Sequence, residues 1–132
     1  MKGIIISTII AVAIVGGVAL LVPKNSQTTN SVSVSSKDNV TIVDGQQIIE
    51  LQAKGGYQPR KSIAKAGMPT IIRFKTNGTF DCSSSVRIPS MNISKYLPQT
   101  GSTDIDIGSQ KVGLFRGSCG MGMYPFEVDF QS

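Results

Sequence analysis

Three stretches of the chain alternate apolar and polar side chains with a period of two: Gln47–Ala53, Thr103–Ile107 and Tyr124–Phe130. A helix cannot bury such a pattern on one side, because its faces repeat every ~3.6 residues, whereas a strand sends successive side chains to opposite faces. The first stretch puts Ile49, Leu51 and Ala53 on one face, and the last does the same with Phe126, Val128 and Phe130. Further extended pieces run over Tyr57–Ala64, interrupted by Pro59, and over Pro69–Lys75, Val86–Ile88 and Lys111–Arg116. Gly55-Gly56, Ala66-Gly67 and Asn77-Gly78 supply turns between them, as such pairs do by reaching backbone conformations other residues avoid. Pro89–Pro98 is irregular, with room for one short helical turn. About seven short strands with nothing of helical period predict an all-β domain over residues 40–132, an antiparallel Greek-key sandwich or barrel. On one choice of register its core holds Ile49, Leu51, Ile72, Phe74, Ile105, Leu114, Phe126 and Val128.

The N-terminal flank has a different character. Gly3–Val22 is an uncharged apolar run bounded by Lys2 and Lys24. At ~1.5 Å rise per residue its length matches a hydrocarbon core of ~30 Å, so residues 1–23 read as a single transmembrane helix. A cleaved signal peptide is the other reading, but the run exceeds the ~7–15 residues of a signal core, and no small-x-small site follows Val22. Residues 24–39 are rich in Ser, Thr and Asn, a disordered linker that cannot bury enough surface to order itself. Lys2 and Lys24 flank the run almost symmetrically, so charge does not orient it.

Chemistry concentrates in Gly117–Tyr124, where Cys119, Met121 and Met123 place sulfur at every second position with glycines between. The only other thiol is Cys82, and the chain has no histidine. Soft thiolate and thioether donors without imidazole select Cu(I), whereas Cu(II) favours nitrogen and oxygen. In a sandwich, the turn before Val86 and the turn between the last two strands can meet at one end. Cys82, Cys119, Met121 and Met123 would then form a four-sulfur site. A disulfide between Cys82 and Cys119 is the alternative; it accounts for the cysteines and leaves the methionines unexplained. Met68 and Met91 have no thiol nearby in sequence and read as packing residues. Thiolate sulfur can bridge metal ions, so up to two Cu(I) fit the charge of the pair. Arg87, Lys75 and Arg116 lie close enough in sequence to favour thiolates, and Phe80, Tyr124 and Phe126 to wall off water.

The absence of histidine excludes Ser-His-Asp and Cys-His catalysis and removes the commonest zinc ligand. No enzyme is expected. The net charge of +5 comes from 13 basic and 8 acidic residues. Because the cations are scattered and not interleaved with aromatics, nucleic acid is not an expected partner.

The segments Gly56–Phe74, Phe80–Ile93 and Lys111–Phe130 together resemble the cupredoxin family. A blue-copper member would carry histidine at the position of Cys82 and again shortly after Cys119, and both are missing. The match is nearer to the membrane-anchored, cupredoxin-like Cu(I) chaperones of streptococci. These combine a membrane helix, a polar linker, a cysteine after Phe-x and a Cys-Gly-Met-Gly-Met loop. Here those motifs are Phe80-Asp81-Cys82 and Cys119-Gly120-Met121-Gly122-Met123. The resemblance implies a cupredoxin-like fold and a two-ion Cu(I) site, with Cys82 and Cys119 as shared thiolates and Met121 and Met123 completing the weaker position. It also implies a copper-exporting P-type ATPase as acceptor and a domain that faces the cytoplasm; a single-pass protein of the cell membrane, monomeric, is expected. The expected role is a Cu(I) chaperone or buffer in copper resistance. Three rivals stand beside it: a disulfide-stabilised extracellular binding module, an electron-transfer cupredoxin, and a copper-binding subunit of a larger oxidase.

Overall fold

The computed structural model describes residues 35–132. The apolar run at Gly3–Val22, and with it the expected membrane helix, lies outside the described residues. No helix among the described residues is long and apolar enough to cross a membrane.

Eleven strands form two sheets: β1 (Ser35–Ser36), β2 (Val40–Val43), β3 (Gln46–Ala53), β4 (Tyr57–Gln58), β5 (Lys61–Lys65), β6 (Pro69–Thr76), β7 (Ser85–Ile88), β8 (Ile93–Tyr96), β9 (Gly101–Ser109), β10 (Gly113–Cys119) and β11 (Pro125–Gln131). One sheet runs β1-β5-β11-β10-β7-β8; the other runs β2-β3-β6-β9, with β4 beside β3. The all-β sandwich is as the alternation requires. It is not purely antiparallel, because β3 pairs with β6, β5 with β11 and β1 with β5 in parallel. The cause is connectivity: after β3 and β4 the chain crosses to the other sheet as β5, then returns as β6 in the direction of β3.

Of the four strands beyond the pattern, three have local causes. Pro59 has no N–H to give a ladder, and it divides the expected Tyr57–Ala64 piece into β4 and β5. The Pro89–Pro98 segment holds a 3-10 turn at Pro89–Met91 and then β8. The polar segment expected to extend as linker to residue 39 joins the sheets at its end. Ser35 and Ser36 pair with Lys61 and Ser62, and the Asn39 Nδ2 donates to the Glu50 carbonyl at 3.0 Å and to the Ser62 Oγ at 2.8 Å.

The core between the sheets contains Ile49, Leu51, Ile72, Phe74, Ile105, Phe126 and Val128 as expected. Leu114 is a correction: it is 58% exposed, and Phe115 is buried in its place. The parity of β10 is fixed by Phe115, Gly117 and Cys119, which all face inward, so the even-numbered residues must face solvent. At the centre, Tyr57, Phe74 and Phe126 meet edge to face, with ring centroids 5.1 to 5.6 Å apart, the arrangement aromatic quadrupoles favour. Gln47 is buried without charge and stitches the two sheets. Its Nε2 donates to the Lys65 carbonyl and the Thr70 Oγ1, both at 3.0 Å, and its Oε1 accepts from the Lys65 N–H at 2.8 Å. A buried amide satisfied in this way avoids the penalty of an unpaired polar group.

Candidate metal centre

The two cysteines meet at one pole of the sandwich. Cys119 is the last residue of β10, inside the ladder and not on the turn, paired opposite Val86 of β7. Its inward parity buries it completely. Cys82 opens a 3-10 turn, Cys82–Ser84, that links β6 to β7. Asp81 caps this turn, accepting from the Ser83 backbone N–H at 2.9 Å, from the Ser83 hydroxyl and from the Gly55 N–H. The Ser83 hydroxyl above all holds the Asp81 carboxyl below its ordinary range; burial opposes it, and the backbone N–H groups of Ser83 and Gly55 and the nearby Lys54 ammonium add to the lowering.

Because its folded-state pKa is lowered, Asp81 contributes stability above its unfolded-state pKa and loses that contribution as pH falls through the folded-state value. Asp81→Ala is expected to cost about 1 kcal/mol, the usual worth of an N-cap. Thermal unfolding of both proteins, followed from about pH 6 to about pH 2, should show the gap closing on the acid side. A gap independent of pH would mean that the carboxylate charge is not what holds the turn.

Cys82 and Cys119, 37 residues apart in sequence, are joined as a disulfide with their Cα atoms 5.7 Å apart. Closing a loop of that length stabilises a domain by about 4 kcal/mol in the chain-entropy model. In this structure both cysteines are taken up by the disulfide; were it reduced, the aromatic core would have to hold the pole together without it. Gly120 makes the close approach of the two halves possible: its N–H donates to the Ser85 carbonyl at 3.0 Å, and a Cβ there would stand 2.7 Å from the Ser85 Oγ.

Met121 and Met123 lie on the turn between β10 and β11, exposed to 80% and 62%. Met121 lines a groove together with Cys82, and Met123 stands outside that groove. The structure thus brings Cys82, Cys119 and Met121 to one place, with Met123 two residues further along the same turn. Met91 is partly exposed on its own 3-10 turn. Among the described residues no three His, Cys, Asp or Glu side chains gather, so any donor at this pole beyond the two cysteines would be methionine sulfur. Only after reduction would the pair supply two adjacent thiolates, which with a neighbouring thioether suit a soft monovalent ion such as Cu(I).

The expected surroundings are corrected in part. Phe126 is buried in the aromatic cluster below the pole and Tyr124 packs against the core, but Phe80 is 76% exposed and walls off nothing. Lys75 pairs with Glu50 and Arg116 with Glu127, so of the three cations only Arg87 borders Cys82. The residue that sequence reasoning passed over is Tyr57. It sits under the pole and donates its hydroxyl to the Ser85 carbonyl at 3.1 Å. Burial, and secondarily the Asp81 charge, push its phenol far above the ordinary value, so it stays neutral and serves as a strut.

Two layers of strands with a sulfur-bearing pole define a cupredoxin-like domain, and the comparison with known families agrees. The model of the cupredoxin-like domain family matches residues 9–128, and the chain belongs to that family. Among solved structures it is similar to the metal-binding domain of the Cu(I)-exporting P-type ATPase CopA of Streptococcus pneumoniae D39, determined with Cu(I). The TM-score is 0.65 at 22% identity, over 75% of this chain and 99% of that one. It is also similar to a copper binding protein in its apo form, solved in solution by NMR, with a TM-score of 0.68 at 23% identity over 76% of this chain and 100% of that one. At these identities the likeness is one of fold. No curated protein matches the sequence.

Proposed function

We propose that this protein is a membrane-tethered Cu(I) chaperone or buffer, with Cu(I) as its cargo and a copper-exporting P-type ATPase as its acceptor. The observation that carries the reading is the convergence of Cys82 and Cys119 at one pole, with Met121 on the groove beside them. When reduced, the pair supplies two thiolates, and the methionines on the turn supply weaker, uncharged donors for a second ion. Transfer proceeds by ligand exchange: an acceptor thiolate attacks the bound ion and the ion passes through a shared intermediate. Exposed methionines at the rim suit such a handover, because the acceptor meets them before the buried Cys119. Likeness of fold to an ATPase metal-binding domain fits exchange between two sites of similar shape. The apolar run at Gly3–Val22 supports tethering, which raises the effective concentration of donor near a membrane acceptor.

The test is an anaerobic titration of the full chain, reduced beforehand, with Cu(I) against a chromophoric chelator. The chain is expected to withdraw one equivalent tightly and a second more weakly, with affinity falling at acid pH because the thiols must lose protons to bind. The disulfide itself favours a second reading, a binding module locked by Cys82–Cys119. Failure of the reduced chain to compete for copper would establish that reading in place of the first.

A further inference from the structure

The groove beside the disulfide, about 610 Å³ in volume, is lined by Cys82, Ser85, Arg87, Asn92, Ser94 and Met121 among others. That volume is in the range of small-molecule sites. Its wall combines apolar and sulfur groups, Pro89, Ile93, Tyr96 and Met121, with hydroxyls, an amide and one guanidinium, and no acidic residue is among the described residues that line it. Lys61, Arg73, Lys75 and Arg116 each pair with a carboxylate on the sandwich surface. Arg87 makes no salt bridge among the described residues. It is exposed on β7, one residue from the strand position opposite Cys119. Asp81, the nearest acid in sequence, is turned away into its cap on the Gly55 side.

The two sulfurs are unequal. Cys82 is half-buried and borders the groove, whereas Cys119 is fully buried and does not. We propose that this groove binds a small carboxylated thiol, which opens the disulfide by attack at Cys82. Arg87 takes a carboxylate of the thiol, and Ser85, Asn92 and Ser94 offer hydrogen bonds to its amides. The proposal rests on the reading of the pair as a copper site for its use, but not for its chemistry.

The exchange balances with the thiol alone as reductant. A thiolate of the ligand attacks the Cys82 Sγ, forming a mixed disulfide, and the Cys119 sulfur leaves with the bonding electrons and takes a proton. A second ligand thiolate attacks the sulfur of the first, the ligand departs as its own disulfide, and the Cys82 sulfur leaves and is protonated. Two thiols are thereby oxidised to one disulfide, and the pair gains two electrons and two protons. Access decides which sulfur is attacked, and the guanidinium favours the anionic form of the incoming thiol. Reduction in the groove would make metal-binding competence depend on the thiol pool, since the pair binds Cu(I) only as thiolates.

The test compares two probes on the full disulfide-bonded chain: glutathione, a tripeptide thiol with two carboxylates, and neutral 2-mercaptoethanol, at matched thiolate concentration. Free thiols are counted by alkylation and mass spectrometry. Glutathione is expected to show a saturating rate and mercaptoethanol a linear one. Arg87→Gln should lower the ratio of the two rates about fivefold, the size of one lost charge-assisted contact at a partly exposed site. Samples quenched in mid-reaction should carry glutathione on Cys82. Linear kinetics for both probes, an unchanged ratio in the variant, or glutathione on Cys119 would each overturn the proposal. Copper uptake by the same preparations, reduced beforehand with a phosphine, is read separately. Its absence would sink the copper reading and leave the exchange result standing.

Discussion

Cys82→Ser is expected to weaken Cu(I) binding by the reduced chain by on the order of a hundredfold to a thousandfold. A four-ligand structural metal site supplies ~10–16 kcal/mol, so one thiolate's share is about 3–4 kcal/mol. The serine hydroxyl that replaces it is a hard donor that a soft ion does not favour. Loss of fold would not account for such a change. Cys82 is only half-buried, serine is nearly isosteric, and the Asp81 cap that shapes the turn does not involve the Cys82 sulfur. Chelator competition measures the effect, with circular dichroism of the same sample as the check on folding. Replacing Met121 and Met123 together with Leu should abolish the weaker second equivalent and leave the first within a few-fold. Tight binding retained by Cys82→Ser would show that the cysteine pair is not the site.

Phe126→Ala is expected to destabilise the disulfide-bonded domain by about 3–5 kcal/mol, the usual cost of emptying a buried aromatic site. Phe126 is the hinge of the packing: its ring lies 5.1 Å from Tyr57 and 5.6 Å from Phe74 between centroids. It also covers Gly117, where a Cβ would run into the ring. Gly117→Ala alone should therefore cost about 1–3 kcal/mol by overpacking. In the Phe126→Ala background the same change should cost almost nothing, because the obstructing ring is gone. Such non-additivity is the signature of direct contact. Urea unfolding of the four proteins measures it, and additive costs would mean that the ring and the glycine are not the packing pair described here.

The two predictions draw on unequal amounts of sequence information. The ring of Phe126 was legible, because Phe126, Val128 and Phe130 keep one parity over a clean strand. Leu114 was not, because Leu114 and Phe115 are adjacent and either parity buries a large apolar residue. The structure decides through Gly117 and Cys119, whose inward positions depend on partners in β11 and β7. Gln47 and Asn39 were illegible for another reason. A buried amide carries no periodic signal, and its hydrogen bonds cross between strands distant in sequence. Ser35 and Ser36 looked like linker because a strand of two polar residues has no pattern to detect. The meeting of Cys82 with Cys119 was legible as a possibility of the sandwich, but spacing alone could not choose between ligands and disulfide, since both need the same proximity.

The first strand of the domain has a practical bearing on where a label can be attached. Ser35 pairs with Lys61, and Lys61 pairs with Glu127, two residues from the Pro125 end of β11. Gln131, beside Lys65, stands at the other end of the same strand. At ~3.3 Å per residue, those four residues are about 13 Å of strand. The chain thus enters the sheet nearer the cysteines and leaves it farther from them. A fluorophore, affinity tag or surface attachment joined directly at Ser35 would start from the cysteine-bearing end of the sheet. The same group fused after Ser132 is carried away from the cysteines, and the C-terminus is the place for labels in any exchange or transfer assay.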